Sequence, residues 1–193
     1  RLGVNSEKIL KEQRRIIAGL LKVDESDIIF TSGGTESNNL AIFGTVRAKK
    51  RYGNHLITTA IEHPSILNVF DHLKEEGWSV TYLPVDKHGV ICLEELEKAL
   101  TEETILVSVM HVNNEIGSIQ PVESIKRLIS KKAPQALFHI DAVQSFGRLD
   151  IRPIEWGVDL LSISGHKIHA PKGIGALYIR KGVSIMPLQW GGG

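Results

Sequence analysis

Over residues 6–21 the apolar positions Ile9, Leu10, Ile16, Ile17, Leu20 and Leu21 fall mostly at three- and four-residue intervals. That spacing marks one face of an amphipathic helix. Ile28, Ile29 and Phe30 follow as a short buried strand that ends in Thr31-Ser32-Gly33-Gly34. The alternation then continues, with a helix over 35–50, a strand over 55–60, a helix over 64–76 and a strand over 80–85. A helix over 93–100, a strand over 105–112 and a helix over 122–132 come next. The last part is mostly strand, over 137–142, 159–164 and 175–180. No internal repeat, low-complexity segment or domain linker interrupts the pattern.

Strands rich in Ile, Val and Leu, separated by helical crossovers, predict an α/β fold with a parallel-dominated sheet covered on both faces. Ligands of such sheets collect at the carboxyl ends of the strands. The chemically interesting residues fall there: Gly33 to Glu36, Glu62-His63, Asn113-Asn114, Asp141 to Gln144, and Ser164 to Lys167.

Composition adds exclusions. The chain has 193 residues, 42% hydrophobic and 23% charged, which suits one good core. Twenty-three Lys and Arg against 22 Asp and Glu leave a formal net charge of +1, with no long single-sign block. Charge therefore supports neither a nucleic-acid partner nor a membrane surface. The longest apolar stretches, such as 105–109, are too short to cross a bilayer. One cysteine, Cys92, excludes an internal disulfide and favours a reducing compartment. The chain opens at Arg1 without Met and closes on Trp190-Gly191-Gly192-Gly193, so both ends read as cuts through a longer protein.

Several segments carry chemistry, each with a plainer reading beside it. Ser32-Gly33-Gly34-Thr35-Glu36-Ser37 joins a strand to a helix. Its glycines, helix N–H groups and hydroxyl make a phosphate cup, or a simple N-cap by Ser32 or Thr35. Neither a Walker loop nor G-x-G-x-x-G is present, which argues against a nucleotide. Asp141 ends an apolar strand, where a buried carboxylate needs a cationic or donor partner such as a pyridinium N–H. The alternative is an Asp that caps the next turn.

Lys167 exits another apolar strand, where burial can strip its proton and ready it for a Schiff base. Most lysines are instead surface cations with a snorkelling tail. His63 opens a helix ahead of Pro64, placed either as a structural cap or to stack on an aromatic ligand and move protons. Asn113-Asn114-Glu115 is a turn signal or a polar ligand contact. His166 and His169 lack a neighbouring carboxylate or cysteine, so no metal site is expected. Their common position at strand ends, not any single motif, points to one site.

In order, the chain carries Thr31-Ser32-Gly33-Gly34-Thr35-Glu36-Ser37-Asn38-Asn39, Glu62-His63-Pro64-Ser65 and His111-Val112-Asn113-Asn114-Glu115-Ile116-Gly117. Asp141-Ala142-Val143-Gln144-Ser145 and Ser164-Gly165-His166-Lys167 through Pro171-Lys172-Gly173-Ile174-Gly175 complete the set. Together they resemble the cysteine desulfurases of the NifS/IscS type, within the class V aminotransferase group of fold-type I pyridoxal-phosphate enzymes. The Glu62-His63-Pro64-Ser65 and Pro171-Lys172-Gly173 forms favour the NifS/IscS branch over the SufS branch.

The resemblance implies a three-layer α/β fold with a mostly parallel, seven-stranded sheet. It also implies that residues 1–193 are the cofactor-binding large domain, without an N-terminal segment and a C-terminal small domain. Lys167 would carry pyridoxal 5'-phosphate covalently, Asp141 would hold its ring nitrogen, and Gln144 and Asn114 would lie near its hydroxyl. His63 would stack on the ring and move protons, while Gly34, Thr35, Ser164 and His166 would hold the phosphate. The implied reaction converts L-cysteine to L-alanine and leaves a persulfide on an enzyme cysteine.

That cysteine would lie beyond residue 193. Cys92, in a turn leading to a helix, does not match it and is expected to be structural. The chain alone should therefore bind cofactor without mobilising sulfur. A homodimer, a sulfur-acceptor protein (an iron–sulfur scaffold or a tRNA-thiolation protein) and a cytoplasmic location are further implications. Other readings are another class V enzyme, such as an aminotransferase or selenocysteine lyase, and a non-catalytic scaffold or dimerisation module.

Overall fold

Seven strands form one sheet: β1 (Ile28–Thr31), β2 (His55–Thr59), β3 (Ser79–Leu83), β4 (Thr104–Met110), β5 (Leu137–Asp141), β6 (Leu160–Ser164) and β7 (Gly175–Ile179). Among the described residues five α-helices accompany them: α1 (Leu2–Leu21), α2 (Gly34–Lys49), α3 (Pro64–Glu75), α4 (Leu93–Ala99) and α5 (Val122–Lys132). The computed structural model describes residues 2–191, with the side chains of residues 2 and 4 left aside. Arg1 and the glycines at 192 and 193, read above as cut ends, lie outside the described residues.

The strand order is β1-β7-β6-β5-β4-β2-β3. Pairs β6–β5, β5–β4, β4–β2 and β2–β3 are parallel; β1–β7 and β7–β6 are antiparallel. The sheet is thus mostly parallel, as the alternating pattern predicts. Its two antiparallel steps have a specific effect. They return β1 to the direction of β6, so Thr31 and Ser164 end at the same edge, both paired with Gly175 of β7.

Two buried clusters confirm the three layers. Ala18 and Leu21 of α1, Leu96 of α4, and Ile125 and Ile129 of α5 pack with Val107, Val109, Phe138 and Ile140 on one face. Ala41 and Ile42 of α2, with Ile66, Phe70 and Leu73 of α3, cover the other face against Leu56, Leu106 and Leu160. One irregularity breaks the alternation. The β2–β4 register slips between His55 and Leu56, which pair with Thr104 and Leu106. Ile105 is therefore the extra residue of a β-bulge, and Ile105 and Leu106 both enter the α2–α3 face.

One element differs in burial from its sequence reading. β1 was expected as a buried strand, yet Ile29 is 43% exposed and Phe30 is only half-buried. The reason is its place at the sheet edge, with only β7 beside it. Among the described residues no helix is long and apolar enough to cross a membrane.

Candidate active site

At the carboxyl edge of the sheet lies a cavity of about 510 Å³. That volume is within the usual range for small-molecule sites. All nine residues singled out from the sequence line it: Gly34, Thr35, His63, Asn114, Asp141, Gln144, Ser164, His166 and Lys167. They come from the ends of β1, β2, β4, β5 and β6, or from the loops just beyond. The cavity also takes in residues to which sequence reasoning gave no role, among them Asn38, Ser65, Met110, Val143 and Lys172.

The first wall is the start of α2. Its N-cap is Gly33, with φ +155° and no side-chain cap bond. Ser32 and Thr35 are therefore not the cap, and the N–H groups of the first turn remain available to an anion. Glu36 is engaged differently, accepting the Ser32 N–H at 2.7 Å; the Ser32 hydroxyl first and then this N–H hold its carboxyl below the usual range. A Cβ on Gly34 would stand 2.8 Å from Val143 Cγ2 and 3.4 Å from Ser164 Cβ. Only glycine leaves this approach open. Opposite, Ser164 Oγ and His166 Nδ1 are 2.8 Å apart.

The floor is Asp141, 5% exposed. Its Oδ1 accepts the Val143 N–H at 2.9 Å and its Oδ2 accepts from Asn38 Nδ2 at 2.8 Å. Asp141 thus shapes the next turn and also faces the cavity. Burial pushes its carboxyl above the ordinary range, while the Val143 N–H, the Asn38 amide and nearby His63 pull the other way. Two strands' worth of polar support lies below it on β5. There His139, fully buried, is 2.8 Å from Ser108 Oγ of β4 and 2.9 Å from Ser162 Oγ of β6. Burial pushes the His139 ring down to about 3, so it is neutral at physiological pH.

His63 is the N-cap of α3, its Nδ1 accepting the Ser65 N–H at 3.1 Å with Pro64 following at N1. The same exposed ring borders the cavity. Asn113 and Asn114 are placed differently. Asn113 is buried and makes the turn, its Oδ1 accepting from the N–H groups of Glu115 and Ile116. Asn114 reaches the cavity.

Lys167 lies half-buried in the 3-10 turn Gly165–Ile168 that follows β6, and its carbonyl accepts from Arg148 at 3.4 Å. Glu62, beside His63, is buried behind this wall. Its Oε1 accepts from Thr59 Oγ1 and the Met110 N–H, its Oε2 has no partner, and burial pushes the carboxyl up to about 8. Cys92 is half-buried at the N-cap of α4 and is not among the cavity residues.

These residues fit pyridoxal phosphate on structural grounds. Asp141 is a buried carboxyl group to which, among the described residues, no cationic side chain is bonded, and a protonated ring nitrogen would complete it. Asn38 Oδ1 is an orphaned acceptor in the same wall, and the uncapped helix start suits a phosphate. Fold and cavity together are those of the α/β pyridoxal-phosphate class.

Residues 1–193 match the family described as aminotransferase class-V, and the chain belongs to it. It is 50% identical over 195 residues to the mitosomal cysteine desulfurase of Trachipleistophora hominis, covering 99% of this chain and 44% of that protein. It is 48% identical over 188 residues to the cysteine desulfurase IscS of Clostridium botulinum, with 97% and 47% covered. A solved structure of a NifS-like protein superposes with a TM-score of 0.96 at 43% identity, covering 100% of this chain and 53% of that one. The chain spans about half the length of the relatives it matches.

Proposed function

We propose that this chain is the cofactor-binding large domain of a pyridoxal-phosphate-dependent cysteine desulfurase. The observation that carries the reading is the single cavity lined by all nine expected residues. The similarity to desulfurases along nearly the whole chain supports the substrate, L-cysteine. Bound there, pyridoxal phosphate would supply an electron sink for charge developing at the substrate's α-carbon.

The chain's own residues divide the work. Lys167 Nζ holds the cofactor and accepts and returns a proton. Asp141 keeps the ring nitrogen protonated, because its buried carboxylate favours a cation beside it. Gln144 and Asn114 bind the ring hydroxyl, and His63 covers the ring face and exchanges protons. The N–H groups at Gly34 and Thr35, with Ser164 and His166, bind the phosphate.

In the balanced reaction, L-cysteine and an enzyme thiol give L-alanine and an enzyme persulfide. Cys92 stands outside the cavity, so the thiol comes from elsewhere in the longer protein and residues 1–193 alone release no sulfide from cysteine. The reading extends to a homodimer in the cytoplasm that passes sulfur to an acceptor protein, such as an iron–sulfur scaffold or a tRNA-thiolation protein.

The test is an absorbance band near the visible edge after incubation with pyridoxal phosphate. The band is expected in the natural protein and absent in Lys167→Ala. No band in either protein overturns the proposal, and so does an equal band in both.

A further inference from the structure

Four side chains from three parts of the fold form an unbroken hydrogen-bond chain along the cavity wall. Asn38 Nδ2, from the first turns of α2, donates to Asp141 Oδ2 at 2.8 Å and to Ser65 Oγ at 2.9 Å. Ser65 Oγ in turn lies 2.9 Å from His63 Nδ1.

The direction of each bond follows from the hydrogens available. An amide nitrogen carries two, and both are used here. The reversed amide would place Asn38 Oδ1 against the Asp141 carboxylate, so chemistry fixes the orientation even though it leaves Oδ1 buried and unpartnered. Ser65 Oγ therefore accepts from Asn38. Its single hydrogen is left for His63 Nδ1.

A second donor points at the same ring nitrogen, the Ser65 backbone N–H at 3.1 Å. Two donors require a lone pair at Nδ1, and a neutral imidazole with a lone pair there carries its hydrogen at Nε2. Among the described residues Nε2 has no partner, and the ring borders the cavity.

We infer that Asn38 and Ser65 are positioning residues that tie Asp141 to His63 and hold neutral His63 as its Nε2–H tautomer. A ring so held meets the substrate as a hydrogen-bond donor at Nε2, so while neutral it takes no proton there, and Lys167 is the group that accepts first. This division of roles rests on the proposed function; the hydrogen-bond chain itself needs only the protein.

The test is nitrogen NMR of the full chain labelled in its histidines, without cofactor, at alkaline pH. His63→Gln identifies the His63 signals. In the natural protein Nδ1 should resonate as an unprotonated nitrogen and Nε2 as a protonated one. Ser65→Ala keeps the backbone donor but loses the hydroxyl, and should raise the Nδ1–H population roughly five-fold, one hydrogen bond's worth. Ser65→Thr, which retains the hydroxyl, should restore the natural ratio, and Asn38→Ala should shift it the same way as Ser65→Ala.

Should Asn38→Ala fail to fold, the Ser65 pair decides alone. A predominantly Nδ1–H ring in the natural protein, or an unchanged ratio in Ser65→Ala, overturns the inference. Because no cofactor is present, these outcomes are independent of the absorbance test of Lys167.

Discussion

Gly34 and Val143 meet so closely that a Cβ on the glycine would lie 2.8 Å from Val143 Cγ2. The contact joins the start of α2 to the turn after β5, the two segments assigned to the phosphate and to the ring. Gly34→Ala should therefore weaken pyridoxal-phosphate binding roughly ten-fold through crowding, measured by fluorescence titration. The added methyl suits a helix, so loss of binding should exceed loss of stability. Val143→Ala in the same chain removes the opposing Cγ2 and should restore most of the affinity; a double variant as weak as Gly34→Ala would disprove the steric account.

Gly175 is a harder case, because its neighbours are backbone. A Cβ there would stand 2.6 Å from Gly33 Cα and 2.8 Å from Ile163 O. Gly175→Ala must displace the cap of α2 or separate β1 and β6 from β7. The expected loss is about 2–3 kcal/mol in urea unfolding. A loss under about 0.5 kcal/mol would mean the two strand ends shift freely.

Glu62 sets a stability slope with pH. Its carboxyl is pushed by burial from an ordinary 4.5 to about 8 in the folded chain. Between those values the folded state binds the extra proton, so stability falls as pH rises from about 4.5 through about 8. Glu62→Gln removes the charge and keeps an oxygen for Thr59 and Met110. Above pH 8 it should be more stable than the natural protein by roughly 3–5 kcal/mol, and near pH 4 little different. Parallel stability–pH curves for the two proteins would rule out a buried acid.

His139 gives the opposite slope at the acid end. Burial lowers its ring from 6.5 to about 3. The unfolded chain binds the extra proton between those values, so stability falls as pH drops from about 6.5 towards 3. His139→Leu should flatten that slope while costing about 2–4 kcal/mol at pH 8, since the Ser108 and Ser162 hydroxyls lose their partner. Adding Ser108→Ala and Ser162→Ala should recover part of the cost; no recovery would assign the loss to packing alone.

Much of this fold follows from local pattern. Local pattern located the five helices and seven strands of the described residues to within a few residues, because the helices bury one face and the central strands run apolar on both. Strand-end position located the nine cavity residues, because a parallel sheet aligns those ends at one edge. What pattern missed depends on distant partners. The exposure of β1 follows from pairing with β7 at the other end of the chain, and the bulge at Ile105 is hidden in an apolar run that reads as regular. Asn38 acquires its role from Asp141, 103 residues away. One local signal was available: Asn38 lies four residues after Gly34 and so shares its side of the helix.

The three-strand array Ser108–His139–Ser162 acts on the site at one remove. Side chains alternate along a strand, so sliding β5 by one residue would point His139 into the opposite apolar layer and strand a polar ring there. The array thus works as a register pin. It sets the height at which β5 delivers Asp141, two residues after His139, relative to the edge where β6 leads into Lys167, five residues after Ser162. The height of the Asp141 carboxyl is then held by two serines and a histidine that lie outside the cavity.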